Sequence, residues 1–210
     1  MNTIRSVVRS IFAAVQVALQ APVLVSVLLA ATTATANPVV TFLDGGYAEL
    51  CSAAAHNAES RLDFELTGSR LPHTPVEICT LAIDSGELSA TQLAGSHNNR
   101  GVLLFVAGDL DAALADFDRA LALTDQLPQI HVNRGYTLNA QERWAESIAA
   151  FDQGIVAEAP DLAKAHYNRG IAHEELGHVR EAYLDYRQAA ELEPEWSAPQ
   201  QELTRFVVGP

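Results

Sequence analysis

The chain has 210 residues, 49% apolar, 19% charged and 7% aromatic, which suits a medium-sized globular domain and is too apolar for a disordered one. Twenty-six acidic against 13 basic side chains give a formal charge of −13, and no basic stripe is present to hold phosphates, which argues against nucleic-acid binding. Two cysteines are too few for a disulfide-dense miniprotein or a Cys-only zinc site.

Residues 1–36 read as a secretory signal. Arg5 and Arg9 make a positive start, with no acidic residue up to Ala36. An apolar stretch follows, cleanest from Ala21 to Ala31. Ala34-Thr35-Ala36 then offers small residues at the positions a signal peptidase reads. Cleavage is expected after Ala36, leaving 174 residues with 11 basic and 26 acidic side chains, a charge of −15, and no membrane span. Export, with the Gram-negative periplasm as destination, is the expectation. The run from Ile11 to Ala31 is about long enough to span a bilayer as an uncleaved anchor, but Gln16, Gln20 and Pro22 weaken it.

A helix is predicted over about 46–59 and a second over 74–85. Thr74-Pro75-Val76-Glu77 opens the second with a capping box and a proline at the first helical position. Ser89-Ala90-Thr91-Gln92 is another capping box and begins a longer helix. Cys51 and Cys79 fall on the two helices of the 46–86 pair. In an oxidising compartment they are expected to bond, closing a loop of 28 residues. Two buried free thiols are the other arrangement the sequence allows. No Cys-x-x-Cys supports a redox pair.

From residue 94 the chain repeats. Asn99-Arg100-Gly101, Asn133-Arg134-Gly135 and Asn168-Arg169-Gly170 place their glycines 34 and then 35 residues apart. A histidine precedes each tripeptide, at His97, His131 and His166. Small residues follow at Ala113, Ser147 and Ala182, then aromatics at Phe117, Phe151 and Tyr186, then Ala120, Gly154 and Ala189. Each unit reads as two antiparallel helices, with turns at Gly108-Asp109, Glu142-Arg143 and Gly177-His178. A glycine inside a helix costs about 1 kcal/mol against alanine, which a close helix crossing would offset. Such a hairpin cannot bury its apolar stripe alone, so units stack into a solenoid.

This pattern resembles the tetratricopeptide repeat family over about residues 94–196, with Pro194 closing the last unit. Within it the chain is similar to the Asn-Arg-Gly variety of exported bacterial repeat proteins. The implied architecture is all-α: a degenerate N-terminal helix pair (37–93), repeats over 94–127, 128–162 and 163–196, and a capping helix in 197–210. The chain departs from the family where histidine stands for the usual early aromatic and arginine for the usual leucine. Repeat two has Gly154 where alanine is usual and no glycine in its turn.

No catalytic constellation emerges. His173-Glu174-Glu175-Leu176-Gly177-His178 spaces its histidines five apart, whereas zinc ligands along one helical face are four apart. The row His97, His131 and His166 reads as packing residues. Arg100, Arg134 and Arg169 have Asp116, Asp118, Asp152 and Asp185 as ion-pair partners. No phosphate loop, calcium loop or paired nucleophile and base is present, so the expectation is a non-enzyme without metal or cofactor.

The resemblance implies that first helices line a concave groove. Helical spacing then projects Asn99, Val102, Phe105 and Val106 inward from repeat one, and Gln129, Asn133, Tyr136 and Asn139 from repeat two. Repeat three offers Lys164, Tyr167, Asn168, Ile171, Glu174 and Glu175. Asn99, Asn133 and Asn168 would form an amide ladder, each matching the donors and acceptor of a peptide group. Lys164 is the only basic residue among them, so a basic or neutral segment of an envelope protein is the expected partner. A structural subunit using its convex face or caps, and a metal-dependent activity through histidines, are the competing readings.

Overall fold

The computed structural model describes residues 46–56, 65–66, 69–70 and 74–206. The expected leader at 1–36 lies outside them. Helix α1 (Gly46–His56) is followed by a two-residue antiparallel ladder, β1 (Glu65–Leu66) with β2 (Ser69–Arg70). Every later element is helical: α2 (Pro75–Asp84), α3 (Ala90–Ala107), α4 (Leu110–Leu123), α5 (Gln129–Ala140), α6 (Trp144–Val156), α7 (Leu162–Glu175), α8 (Val179–Leu192) and α9 (Ser197–Leu203). Among the described residues no helix is long and apolar enough to cross a membrane.

Local chemistry sets the helix ends. In both predicted capping boxes, at Thr74 and Ser89, the side chain accepts from the third helical N–H while Glu77 or Gln92 reaches back to the cap N–H. Asp109 caps α4 by accepting from Ala112 N–H. The three hairpin turns fall where the spacing places them. Gly108 (φ 84°) and Gly177 (φ 75°) take the left-handed position that ends a first helix. In repeat two Glu142 occupies it, with φ 60°, at a steric cost glycine does not incur.

The helices stack as hairpins: α3 on α4, α5 on α6, α7 on α8, with α4 against α5, α6 against α7, and α9 closing the end on α8. The core is accordingly a chain of small clusters, with Leu114, Leu138 and Ala150 bridging repeats one and two. Cys51, Ala54, Ile78, Cys79, Ala82 and Leu103 form the N-terminal one. The disulfide Cys51–Cys79 lies fully buried within it, joining α1 to α2 as expected. Phe117 and Phe151 anchor the next clusters, and Tyr167 and Tyr186 the last.

The repeat glycines have a sharper purpose than the helix crossing expected of them. A Cβ on Gly101 would stand 2.7 Å from Phe117 Cε1, one on Gly135 2.8 Å from Phe151 Cε1, and one on Gly170 2.9 Å from Tyr186 Cε1. Real Cβ atoms are not found so close to a ring carbon. Each aromatic therefore seats on the glycine of its own hairpin, not only in the gap between units. Gly154, where the family has alanine, leaves room for Val132 Cγ2, which an added Cβ would meet at 2.6 Å.

Candidate functional site

Two of the three histidine-arginine pairs converge on a buried aspartate from the second helix. Asp116 is 1% exposed and accepts from His97 Nδ1 (3.0 Å), Arg100 Nε (2.6 Å) and Arg119 (2.9 Å). Asp185 accepts from His166 Nδ1 (2.8 Å) and Arg169 Nε (2.9 Å). Burial alone would raise both carboxyls. The hydrogen bonds from Arg100 and His97, and from His166 and Arg169, outweigh it and hold them below the usual carboxylate range.

Repeat two has Ala150 at the equivalent position, and the arrangement changes. Arg134 instead reaches back to Asp118 of repeat one (2.8 Å), and Arg169 likewise spans to Asp152 of repeat two. His131 Nδ1 is left buried without a hydrogen-bond partner. Burial and then the neighbouring Arg134 push His131 below the ordinary imidazole value. The arginine row is thus structural, and all four predicted aspartates are its partners. Among the described residues no three His, Cys, Asp or Glu side chains converge as a metal site.

The first helices α3, α5 and α7 stand side by side, joined by amide bridges. Asn133 Nδ2 donates to Asn98 Oδ1 (2.9 Å), and Asn139 Nδ2 donates to the backbone carbonyl of Asn168 (2.9 Å). Asn98 was not among the sequence candidates. Its counterparts, Val132 and Tyr167, are apolar or aromatic, so the repeat carried no signal for it. The expected ladder through Asn99, Asn133 and Asn168 is not continuous. Asn168 is fully buried and donates its amide to the Lys164 carbonyl one turn back (2.9 Å), while Asn139 of α5 donates to its backbone carbonyl.

The other candidates divide by depth. Asn139, Lys164 and Tyr167 are buried, and Lys164 Nζ lies 3.9 Å from Asp161 Oδ2. Tyr167 packs between Tyr186 and Trp196. Glu174 is already engaged: it accepts from Tyr186 Oη (2.8 Å) and from both terminal nitrogens of Arg205 (2.7 Å each). Asn99, Val102, Phe105, Gln129, Asn133, Tyr136 and Ile171 are half-buried, and Val106 and Glu175 are exposed. Tyr136 meets Phe151 edge-on at 5.4 Å. A wall of amides and apolar rings with an open rim can pair with a peptide backbone, and it presents no nucleophile poised against a base.

The last of these hairpins is also where a known repeat is recognised. Residues 163–196 match the family model of the tetratricopeptide repeat. The described helices have the fold of a tetratricopeptide solenoid. The first TPR of Spaghetti (RPAP3), solved bound to the HSP90 peptide SRMEEVD, superposes with a TM-score of 0.52 at 23% identity, over 55% of this chain and 90% of that one. MamA (41-end) from Desulfovibrio magneticus RS-1 gives 0.59 at 19% identity, over 76% of this chain and 82% of its own. Among curated proteins, FK506-binding protein-like from Mus musculus is 27% identical over 176 residues, 78% of this chain and 50% of the relative. Its Homo sapiens counterpart is 29% identical over 135 residues, 60% of this chain and 39% of the relative. The chain therefore spans about half or less of the length of the curated relatives it matches. The likeness to the solved structures is one of fold.

Proposed function

We propose that the protein is an exported, non-catalytic adaptor whose groove captures a peptide segment or helix of an envelope protein. The observation that carries this is the wall of α3, α5 and α7. Its amide bridges join the three helices, and its rim leaves Asn99, Phe105, Gln129, Tyr136, Ile171 and Glu175 in contact with solvent. The fold neighbour solved with a bound peptide supports the same use of the architecture. Apolar and aromatic side chains supply affinity, and amides fix an extended backbone. The acidic chain and exposed Glu175 favour a basic or neutral segment. The charged start and small-residue site of residues 1–36 support export, and the Cys51–Cys79 bond suits an oxidising compartment.

The test is crosslinking of the full chain in envelope extract of the source cells, read by mass spectrometry, alongside the Gln129→Arg, Glu175→Arg double variant. We expect one partner photo-crosslinked along the wall of α3, α5 and α7 in the wild type and lost in the variant, with an unchanged circular dichroism spectrum. Crosslinks confined to residues 37–93 or to α9, surviving both substitutions, would overturn the groove in favour of an assembly subunit. Sequencing the exported form should find Asn37 at its N-terminus.

A further inference from the structure

The end of α7 returns on itself through a tight cap. His178 N–H donates to the His173 carbonyl (2.8 Å) and Gly177 N–H to the Glu174 carbonyl (2.9 Å), with Gly177 left-handed. This is the paired-bond helix terminus that brings the residue after the glycine back beside the third residue before the cap. The same two bonds close the other hairpins. There they bring together Leu104 with Asp109, and Leu138 with Arg143. In repeat three alone, the two positions both carry imidazoles.

Histidines five apart cannot share one face of a continuous helix, and that spacing argues against a metal reading of the sequence. The turn removes the objection, because the two side chains come from either side of a reversal. Their Nδ1 atoms lie 3.3 Å apart and their ring centroids 5.5 Å apart. Two imidazole nitrogens bound at about 2.0–2.1 Å to one tetrahedral ion stand roughly 3.3–3.4 Å apart. The observed separation, that of an imidazole–imidazole hydrogen bond, equals the bite of a zinc-type ion, which would take the place of the shared proton. His178 is exposed and His173 half-buried, so the approach is open on one side.

We propose that His173 and His178 form a two-imidazole site for a divalent ion of the zinc type, with water completing the coordination. The choice of ion follows from the donors: neutral imidazole suits zinc, copper and nickel, whereas magnesium and calcium demand oxygen. The site lies outside the groove, at the tip of the last hairpin. A bound ion ties α7 to α8 there, beside Glu174, which holds Arg205 after α9. Binding to the folded chain alone then stabilises that end of the array.

The experiment is titration of the untagged full chain with zinc(II), read by calorimetry and by the melting temperature. Calcium serves as the comparison ion. We expect one zinc per chain, a raised melting temperature, and no response to calcium. His178→Gln and His173→Gln should each weaken binding at least tenfold and abolish the melting shift. His56→Gln should leave both unchanged. His178 is exposed, so its variant keeps the fold, and an unchanged circular dichroism spectrum checks this. Zinc binding unaltered in His178→Gln, or no binding by wild type up to about 1 mM zinc, would overturn the proposal.

Discussion

Replacing Gly135 by alanine tests the packing logic of the whole array. Helix propensity alone favours the change by about 1 kcal/mol. The structure opposes it, because the new Cβ would stand 2.8 Å from Phe151 Cε1 and 2.9 Å from Cδ1 and Cζ. That is roughly 0.7 Å inside the ~3.5 Å edge of favourable carbon contact. Neither side can retreat. Phe151 is fully buried with its ring against Tyr136, and the Gly135 carbonyl is held by Ser147 Oγ at 2.9 Å. Forcing such a contact costs about 1–3 kcal/mol or more, which outweighs the propensity gain. Gly95 supplies the control. It also lies inside a helix, α3, but a Cβ there meets nothing within 4 Å. In urea unfolding, Gly95→Ala should stabilise by up to about 1 kcal/mol, and Gly135→Ala should destabilise by about 1–2 kcal/mol. A Gly135→Ala protein as stable as wild type would refute the aromatic-on-glycine account for all three repeats.

Other consequences follow from the same contacts. Removing both cysteines should cost about 3–4 kcal/mol for a loop of 28 residues, with two alkylatable thiols in the wild type only after reduction. Asp116→Asn strips a buried partner from Arg100 and should cost about 3–5 kcal/mol, whereas Asp118→Asn, at an exposed pair, should cost at most about 1 kcal/mol. Acid should weaken the fold in two stages. His131 is held below its unfolded value, so its contribution is present above about pH 6.5 and lost as pH falls through the lower folded value. The depressed Asp116 and Asp185 behave likewise from about pH 4 downward. His131→Gln should therefore lose less stability than wild type between pH 7 and 5.5 in matched urea series. Deleting 197–210 removes Phe206 from Tyr183 and Tyr186 and Arg205 from Glu174. The truncated chain should self-associate in sedimentation, and a monodisperse product of equal stability would contradict the capping role of α9.

Much of the molecule was legible in the linear chain because its information is local and periodic. A 34-residue interval, two capping boxes and the turn residues depend on neighbours within one hairpin. Every hairpin turn, both boxes and the Cys51–Cys79 pairing accordingly fall where the residues place them. The arginine row was also visible, since Arg100 to Asp116 and Arg169 to Asp185 lie within a hairpin at a constant interval of 16 residues.

What the tertiary structure alone decided is what crosses between units or turns a corner. Helical periodicity assigns a residue to a face but not to a depth. Asn168 and Lys164 share the groove side of α7 with half-buried Ile171, yet they are buried. Asn139 reaching from α5 and the packing at the end of the array cover positions that one helix in isolation would leave open. Asn98 bonds to Asn133 without any repeat to announce it, and His131 lost its carboxylate through Ala150, 19 residues away. His173 and His178 show the same limit most directly. Five residues apart they belong to different faces of a helix, and only a reversal of the backbone sets their nitrogens 3.3 Å apart. Sequence spacing measures distance along a regular element, and these contacts form where the element ends.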